Sequence, residues 1–311
     1  MNKIHSPLLS RRRLIAAGSS LVAAAVFPRL AISADAMAVS SVADNMHLVS
    51  GVGGNVLVVK AGSNAVLVDS GAADMTAQLQ QALGQLQVSK VTTLFNTHWH
   101  LDQVGGNAHF GGQGASIMAH KKTALRLSTD YYLFDEERYQ QALPESARPD
   151  QTFYDEGEMT TAVGPVEYGF LQSAHTDGDI YIRFPQANVI AVGDVVSPVV
   201  DPGFDWYGGG WIGGRVDALN HILSLCDAQT KVVPAYGQVV TRAHVEAERD
   251  LMQFMYETLV DQIRKGFDAS DSLASGVMDN LPRRLDDPYR FLYSAHKGLW
   301  AHHNKLEPNI V

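Results

Sequence analysis

Thr97-His98-Trp99-His100-Leu101-Asp102-Gln103 follows directly on the apolar run Val91-Thr92-Thr93-Leu94-Phe95. Two histidines and an aspartate stand at alternate positions. In extended backbone, residues i, i+2 and i+4 face one side, so the three side chains are expected to converge. Imidazole nitrogen and carboxylate oxygen are the donors that zinc, iron and manganese accept. The C-terminal end of a buried strand is also where α/β folds place their chemistry. The bland alternative is a turn whose polar groups satisfy one another, and the rest of the chain decides between the two.

Outward from this string, residues 46–49, 55–59 and 65–69 read as strands, separated by Gly51-Val52-Gly53-Gly54 and Gly62-Ser63-Asn64. Helical spacing covers 75–86, a buried strand 91–96, a short strand 116–119 and a short helix 121–127. Residues 130–160 are charged, aromatic and interrupted by Pro144 and Pro149, which suggests an insertion or lid. Strands return at 166–172, 180–184 and 188–192. Helices at 216–227 and 243–265 bracket the strand Lys231-Val232-Val233-Pro234, and the tail 271–311 is helical in part, around 289–303. Cys226 fits a buried helix face better than a nucleophile. No internal repeat is evident.

Other polar residues close apolar runs. His175 sits in the turn Ser173-Ala174-His175-Thr176-Asp177-Gly178-Asp179. Asp194 ends Ile190-Ala191-Val192-Gly193-Asp194, Tyr236 lies in Pro234-Ala235-Tyr236-Gly237, and Leu67-Val68 runs into Asp69-Ser70-Gly71. Polar strand ends in this order build one rim of a sheet sandwich. On these residues, from about Met46 to about Lys265, the chain resembles the metallo-β-lactamase-fold superfamily.

The resemblance implies an α/β fold: an αββα four-layer sandwich of two mixed sheets with helices outside. The chain is then expected to divide into an N-terminal signal peptide at 1–36, the metallo-β-lactamase-like domain at 37–270 with the insertion or lid at 130–160, and a C-terminal helical extension at 271–311. Members are mostly hydrolases with one or two metals, acting on β-lactams, thioesters, lactones, phosphodiesters or sulfate esters; some bind iron instead. Carried over by position, His98, His100 and His175 match the three-histidine first metal site. Asp102 matches the aspartate of the second site, and Asp194 the residue that often bridges the metals. Two positions depart from the pattern. Gln103 and Tyr236 stand where the family usually has histidine, and both losses fall on the second site.

An amide oxygen is a poorer transition-metal ligand than imidazole. A phenol titrates near pH ~10 and binds well only if a cation first lowers its pKa. This ligand set favours one Zn2+ per chain over two. It frees Asp102 to act as general base and Tyr236 to donate to a developing oxyanion. The metal would then activate a water, bringing its pKa to about 7 for zinc. Asp194 is expected either as a ligand or as a brace behind a histidine. In the Gly- and aromatic-rich stretch 201–214, Trp206, Tyr207 and Trp211 are candidates for a substrate wall, with glycines that let the loop flex. His296, His302 and His303 are expected on a solvated helix face.

The N-terminus carries an address. Ser10-Arg11-Arg12-Arg13-Leu14-Ile15 has the form of a twin-arginine signal, and the apolar stretch 14–27 is short of the ~20 residues that a span needs. Ala34-Asp35-Ala36 offers a cleavage site. Cleavage after Ala36 leaves 275 of 311 residues and takes the formal charge from −9 to −13, since five basic residues and one acid depart. Such an acidic chain argues against nucleic acid and anionic lipid as partners. The expected partners are the twin-arginine export machinery and a small-molecule substrate. The expected place is the periplasm, with no stable membrane anchor after cleavage. Its single cysteine allows no intrachain disulfide there.

Three functions compete. The first is a periplasmic hydrolase of a small ester, lactone, thioester or lactam. The second is a non-hydrolytic iron enzyme in which His98, His175 and Asp194 form a two-histidine-one-carboxylate face. The third is a binding protein that has lost turnover.

Overall fold

The computed structural model describes residues 37–133 and 137–306, so the expected export signal at 1–36 lies outside the described residues. The first strands, β1 (Ala38–Ala43), β2 (Met46–Val52), β3 (Gly54–Ala61) and β4 (Asn64–Val68), form an antiparallel meander. Asn45, Gly53 and Gly62 take positive φ at its turns. Helix α1 (Thr76–Gln85) crosses to β5 (Lys90–Phe95), parallel to β4. Helices α2 (Leu101–Val104) and α3 (Asn107–Gly112) lead to β6 (Ser116–His120), parallel to β5. After α4 (Lys121–Ser128) comes a two-stranded hairpin, β7 (Tyr131–Leu133) and β8 (Arg138–Gln140), and then β9 (Gln151–Phe153) closes a seven-stranded sheet in the order β1-β2-β3-β4-β5-β6-β9.

The second sheet has six strands: β10 (Glu156–Thr161), β11 (Gly164–Phe170), β12 (Ile180–Phe184), β13 (Val189–Gly193), β14 (Lys231–Pro234) and β15 (Val240–Thr241). Its one parallel pairing, β13 with β14, is bridged by α5 (Ile212–Leu225). Helices α6 (Arg242–Arg264), α7 (Ala269–Ala274) and α8 (Pro288–Leu306) complete the described chain.

Side-chain alternation along the strands makes the layers. Val66 and Val68 of β4 point between the sheets, with Leu57, Val59 and Phe95, onto Val166, Ile180, Ile182 and Ala191 of the second sheet. Their neighbours Ala65 and Leu67 face the other way, with Val56 and Val58, under Leu79, Ala82 and Leu83 of α1. In the second sheet Ile190, Val192 and Val232 pack under α5, α6 and α8. Strands buried on both faces read as continuous apolar runs. Each fully buried Val or Leu contributes roughly 1.5–3 kcal/mol against exposure. The result is the expected αββα sandwich.

Several expectations change. The segment 130–160 is not one insertion: among its described residues the β7–β8 hairpin and the 3-10 turn Glu145–Ala147 stand outside the two large sheets. β9 and β10 are edge strands of the sheets, and Phe153 packs on Tyr168 with ring centroids 4.4 Å apart. The tail is not an appendage either, because Leu285, Phe291, Leu292, Ala295 and Leu299 are buried in the same core as α5 and α6. His296 does not lie on a solvated face. It is 6 % exposed, and its Nε2 lies 2.9 Å from Ser272 Oγ. Cys226 caps the C-terminus of α5, half-buried against this core.

The rim that carries the chemistry is stitched from both sheets. Asn55 of β3 donates from its backbone N–H to Ala235 O (2.7 Å), and from Nδ2 to Pro234 O (2.9 Å) and Gly237 O (2.8 Å). Ile180 N–H donates to Thr97 O at 2.9 Å. Behind the rim, fully buried Arg215 of α5 holds Glu248 of α6 (2.9 Å) and donates to Ser197 Oγ (2.7 Å) and Gly203 O (3.1 Å). Glu248 in turn accepts from Ser197 N–H, at 3.0 Å to Oε2. Removing one partner of such a pair strands a buried charge. Arg215→Met is therefore expected to lower unfolding free energy by about 3–5 kcal/mol in urea titration, and the Arg215→Met/Glu248→Leu double variant by less than that.

Candidate metal centre

His98 and His100 are presented by the segment that leaves β5, not by the pleat of a strand. His100 has φ −66° and ψ 144° and is the residue on which α2 starts, so Asp102 already lies in the helix's first turn. The expected convergence of all three residues is thus broken by the helix turn, and Asp102 is not among the four clustered donors although it borders the same cleft. His175 comes from the turn between β11 and β12. There the buried Asp179 carboxylate accepts from His175 N–H (2.7 Å), Thr176 N–H (2.8 Å) and Thr176 Oγ1 (2.6 Å). Burial pushes the Asp179 carboxyl up to about 7 against the pull of those bonds. Asp194 follows β13, where Gly193 at φ +56° would place a Cβ 2.7 Å from Thr97 Oγ1.

His98, His100, His175 and Asp194 bring one donor atom each to within 4.8 Å of one another. The three rings stand nearly at right angles, with interplanar angles of 81°, 89° and 90°. His175 Nε2 lies 3.1 Å from His100 Nδ1, and Asp194 Oδ2 lies 3.5 Å from His98 Nε2 and 3.8 Å from His175 Nε2. The far nitrogen of each ring faces an acceptor. His98 Nδ1 is 3.0 Å from Thr97 Oγ1, which itself donates to Asp69 Oδ2 at 2.8 Å. His175 Nδ1 is 2.9 Å from Gly203 O, and His100 Nε2 is 3.2 Å from Asp205 Oδ2. Those partners place each ring proton outward and leave a lone pair aimed inward, the protonation that ligation needs.

His98 Nε2 is buried with no hydrogen-bond partner. A buried polar atom left so costs about 1–3 kcal/mol unless something else satisfies it. Burial, then the neighbouring imidazoles, hold His98 well below its usual range. Burial and His100 take His175 down to about 3. Both rings are neutral at physiological pH, as ligands must be. For His100 burial works against charge, but the bond and charge of Asp205 outweigh it and its pKa rises. Burial and Asp102 push Asp194 up to about 7. Three imidazoles, one carboxylate and an orphaned inward nitrogen suit a divalent transition metal.

Around the second position Tyr236 and Gln103 both turn to Asp102, while Gln103 Oε1 is buried without a hydrogen-bond partner. The Tyr236 phenol donates to Asp102 Oδ2. Gln103 Nε2 reaches the same oxygen at 3.4 Å. Gln103 is fully buried against Gly54, where a Cβ would sit 2.2 Å from Nε2. Burial, then the Asp102 carboxylate, raises the Tyr236 phenol, so it stays a neutral donor.

His100, His175 and Asp102 reach a cleft of about 870 Å³, walled by Trp99, Tyr131, Tyr132, Phe204, Trp206 and Tyr207. Asp287, Arg290 and Phe291, at the start of α8, form the opposite side. Trp211 does not line the cleft. Its ring stacks on His302 at 4.3 Å and 11°, inside the helical layer. The loop glycines serve close approach: a Cβ on Gly208 would lie 2.4 Å from Asp205 Oδ2, and one on Gly210 2.0 Å from His175 O. Sequence reasoning missed Asp205 and the hairpin tyrosines. The only signal for Asp205 was a carboxylate set among glycines and aromatics, Asp205-Trp206-Tyr207-Gly208-Gly209-Gly210.

The chain is similar to a set of solved structures. DIM-1 metallo-beta-lactamase matches with TM-score 0.56 and 19 % identity, over 70 % of this chain and 98 % of that one. A metallo-beta-lactamase from Pontibacter korlensis gives TM-score 0.56 and 19 % identity over 70 % and 99 %. The stereoselective inverting sec-alkylsulfatase Pisa1 from Pseudomonas sp. gives TM-score 0.64 and 15 % identity over 84 % of this chain and 50 % of that one, so this chain spans half of the sulfatase. At such identities the likeness speaks for the fold. The profile described as "Metallo-beta-lactamase superfamily" matches residues 49–296, from β2 into α8 and across every donor described above. The chain belongs to the metallo-beta-lactamase superfamily.

Proposed function

We propose that this chain is an exported, metal-dependent hydrolase that holds one zinc on His98, His100 and His175 and cleaves a small ester, lactone, thioester or lactam. One observation carries the reading: three imidazole lone pairs converge on the floor of an aromatic-walled cleft, one of them otherwise unpartnered. Similar structures are named as β-lactamases and an alkylsulfatase, which supports hydrolytic chemistry as the class. The twin-arginine string at 10–15 supports the periplasm as its place, since that route carries folded, metal-loaded proteins.

A dication at this position supplies a Lewis acid and lowers the pKa of a water, to about 7 for zinc. The chain's own residues supply the rest. Asp102 orients the attacking water and takes its proton. While ionised, Asp102 accepts the Tyr236 phenol; once protonated it loosens that bond. The neutral phenol then turns its O–H to the oxygen on which negative charge develops. Trp206, Tyr207 and Tyr131 hold the apolar part of the substrate and exclude water from the floor.

A second reading rests on Asp194. Its Oδ2 lies 3.5 Å and 3.8 Å from the inward nitrogens of His98 and His175, a two-histidine-one-carboxylate face that suits iron. Elemental analysis of protein recovered from the periplasmic fraction, beginning at Met37, separates the two. A zinc-to-chain ratio near one is expected. A ratio near two overturns the single-metal assignment, and iron with an oxygen-dependent activity overturns the hydrolase.

With a substrate found in an ester, lactone and lactam screen, Asp102→Asn is expected to lower kcat about 10²- to 10⁴-fold at unchanged metal content. Tyr236→Phe should lower it about 10²- to 10³-fold, the usual loss for one oxyanion donor. Restoring histidine at both 103 and 236 should move the metal-to-chain ratio from one toward two. A ratio that stays at one would show that the side chains at these positions are not what limits metal number.

A further inference from the structure

We propose that Asp205 is the positioning residue that decides which nitrogen of His100 is free to ligate. This rests on the metal site described above and adds a member to it. His100 turns Nδ1 inward, 3.1 Å from His175 Nε2, so ligation through Nδ1 requires the ring proton on Nε2. Asp205 Oδ2 stands 3.2 Å from that atom. The carboxylate is fixed independently of His100. Its Oδ1 accepts from Gly208 N–H at 2.7 Å, Asp205 N–H donates to His175 O at 2.9 Å, and Gly210 N–H donates to Asp205 O at 2.8 Å. The acceptor is therefore held by backbone bonds that do not involve a cation, and it is anchored to the segment that carries another ligand. A carboxylate behind a ligating imidazole fixes both tautomer and ring orientation.

Position 205 also joins two parts of the site. Asp205 precedes Trp206 and Tyr207 in the cleft wall, and Asp177 N–H donates to Gly208 O at 2.9 Å. The wall that faces substrate and the orientation of one metal ligand thus hang on the same short loop.

Asp205→Asn separates positioning from scaffolding. The Asn oxygen can keep the bond from Gly208 N–H, a donor that cannot change. Its NH2 group then faces His100, which can accept it only by moving its proton to Nδ1, the nitrogen needed for metal. Asp205→Ala removes both bonds. The test uses the full chain labelled with 15N-histidine, with His100 assigned by the signal lost in His100→Gln. Two quantities are read: the His100 tautomer by long-range 1H–15N NMR without metal, and zinc affinity by competition with a chelating dye.

In Asp205→Asn the His100 proton is expected on Nδ1, with zinc affinity down about 10- to 100-fold and the thermal midpoint of the metal-free protein unchanged. Asp205→Ala should weaken zinc similarly without imposing one tautomer. Weaker zinc binding with the proton still on Nε2 makes Asp205 a scaffold and overturns the proposal. So does wild-type affinity in Asp205→Asn. A wild-type chain with no zinc affinity overturns the metal assignment and this inference with it. Wild-type binding matched by Asp205→Asn overturns this inference alone.

Discussion

Three imidazoles turned inward around one point are the constraint on which the site depends. Each ring can offer a lone pair there because its far nitrogen gives its proton to a fixed acceptor. The three acceptors differ in kind: a hydroxyl backed by a buried carboxylate at His98, a loop carboxylate at His100 and a backbone carbonyl at His175. Each belongs to a different part of the rim. Thr97 and Asp69 follow β5 and β4 of the first sheet, whereas Gly203 and Asp205 lie in the loop beyond β13 of the second. The site is complete only when the two sheets are in register at this edge, and the Asn55 and Ile180 bonds hold them so.

The loop beyond Asp194 carries a second burden. It supplies the carbonyl behind His175, the carboxylate behind His100 and the aromatic wall. Arg215 pins its start, since one guanidinium donates to Ser197, Gly203 and Glu248 together. The buried ion pair between α5 and α6 thus bears on a histidine several residues away. It is better understood as the loop's fastening than as a gain in helix packing.

Much of this was legible in the sequence because period-2 apolar runs and turn glycines fix strands cheaply. The double-sided burial of β4 and β13 shows as unbroken Val, Ile, Leu and Ala, and the polar residues that end those runs mark the rim. Less was legible where tertiary contact overrides local character. β9 and β10 look like loop in sequence because they are short edge strands with charged or prolyl flanks. His296 looks like a surface residue until α7 brings Ser272 to it. Trp211 shares its glycine-rich company with Trp206, yet α5 starts one residue later and draws its ring into the helical layer. Asp205 could not be found by spacing, because 105 residues separate it from the histidine it serves.

The start of α8 forms one side of the cleft, although α8 is the last described element and contributes none of the four metal donors. The candidate donors and this wall of the cleft therefore come from distant parts of the chain. The candidate donors are spread from residue 98 to 194, while Asp287, Arg290 and Phe291 line the cleft from the other side. Exchanging that last helix among related chains would redraw what fits while leaving the metal donors intact. The same arrangement means that loss of α8 would open one side of the cleft.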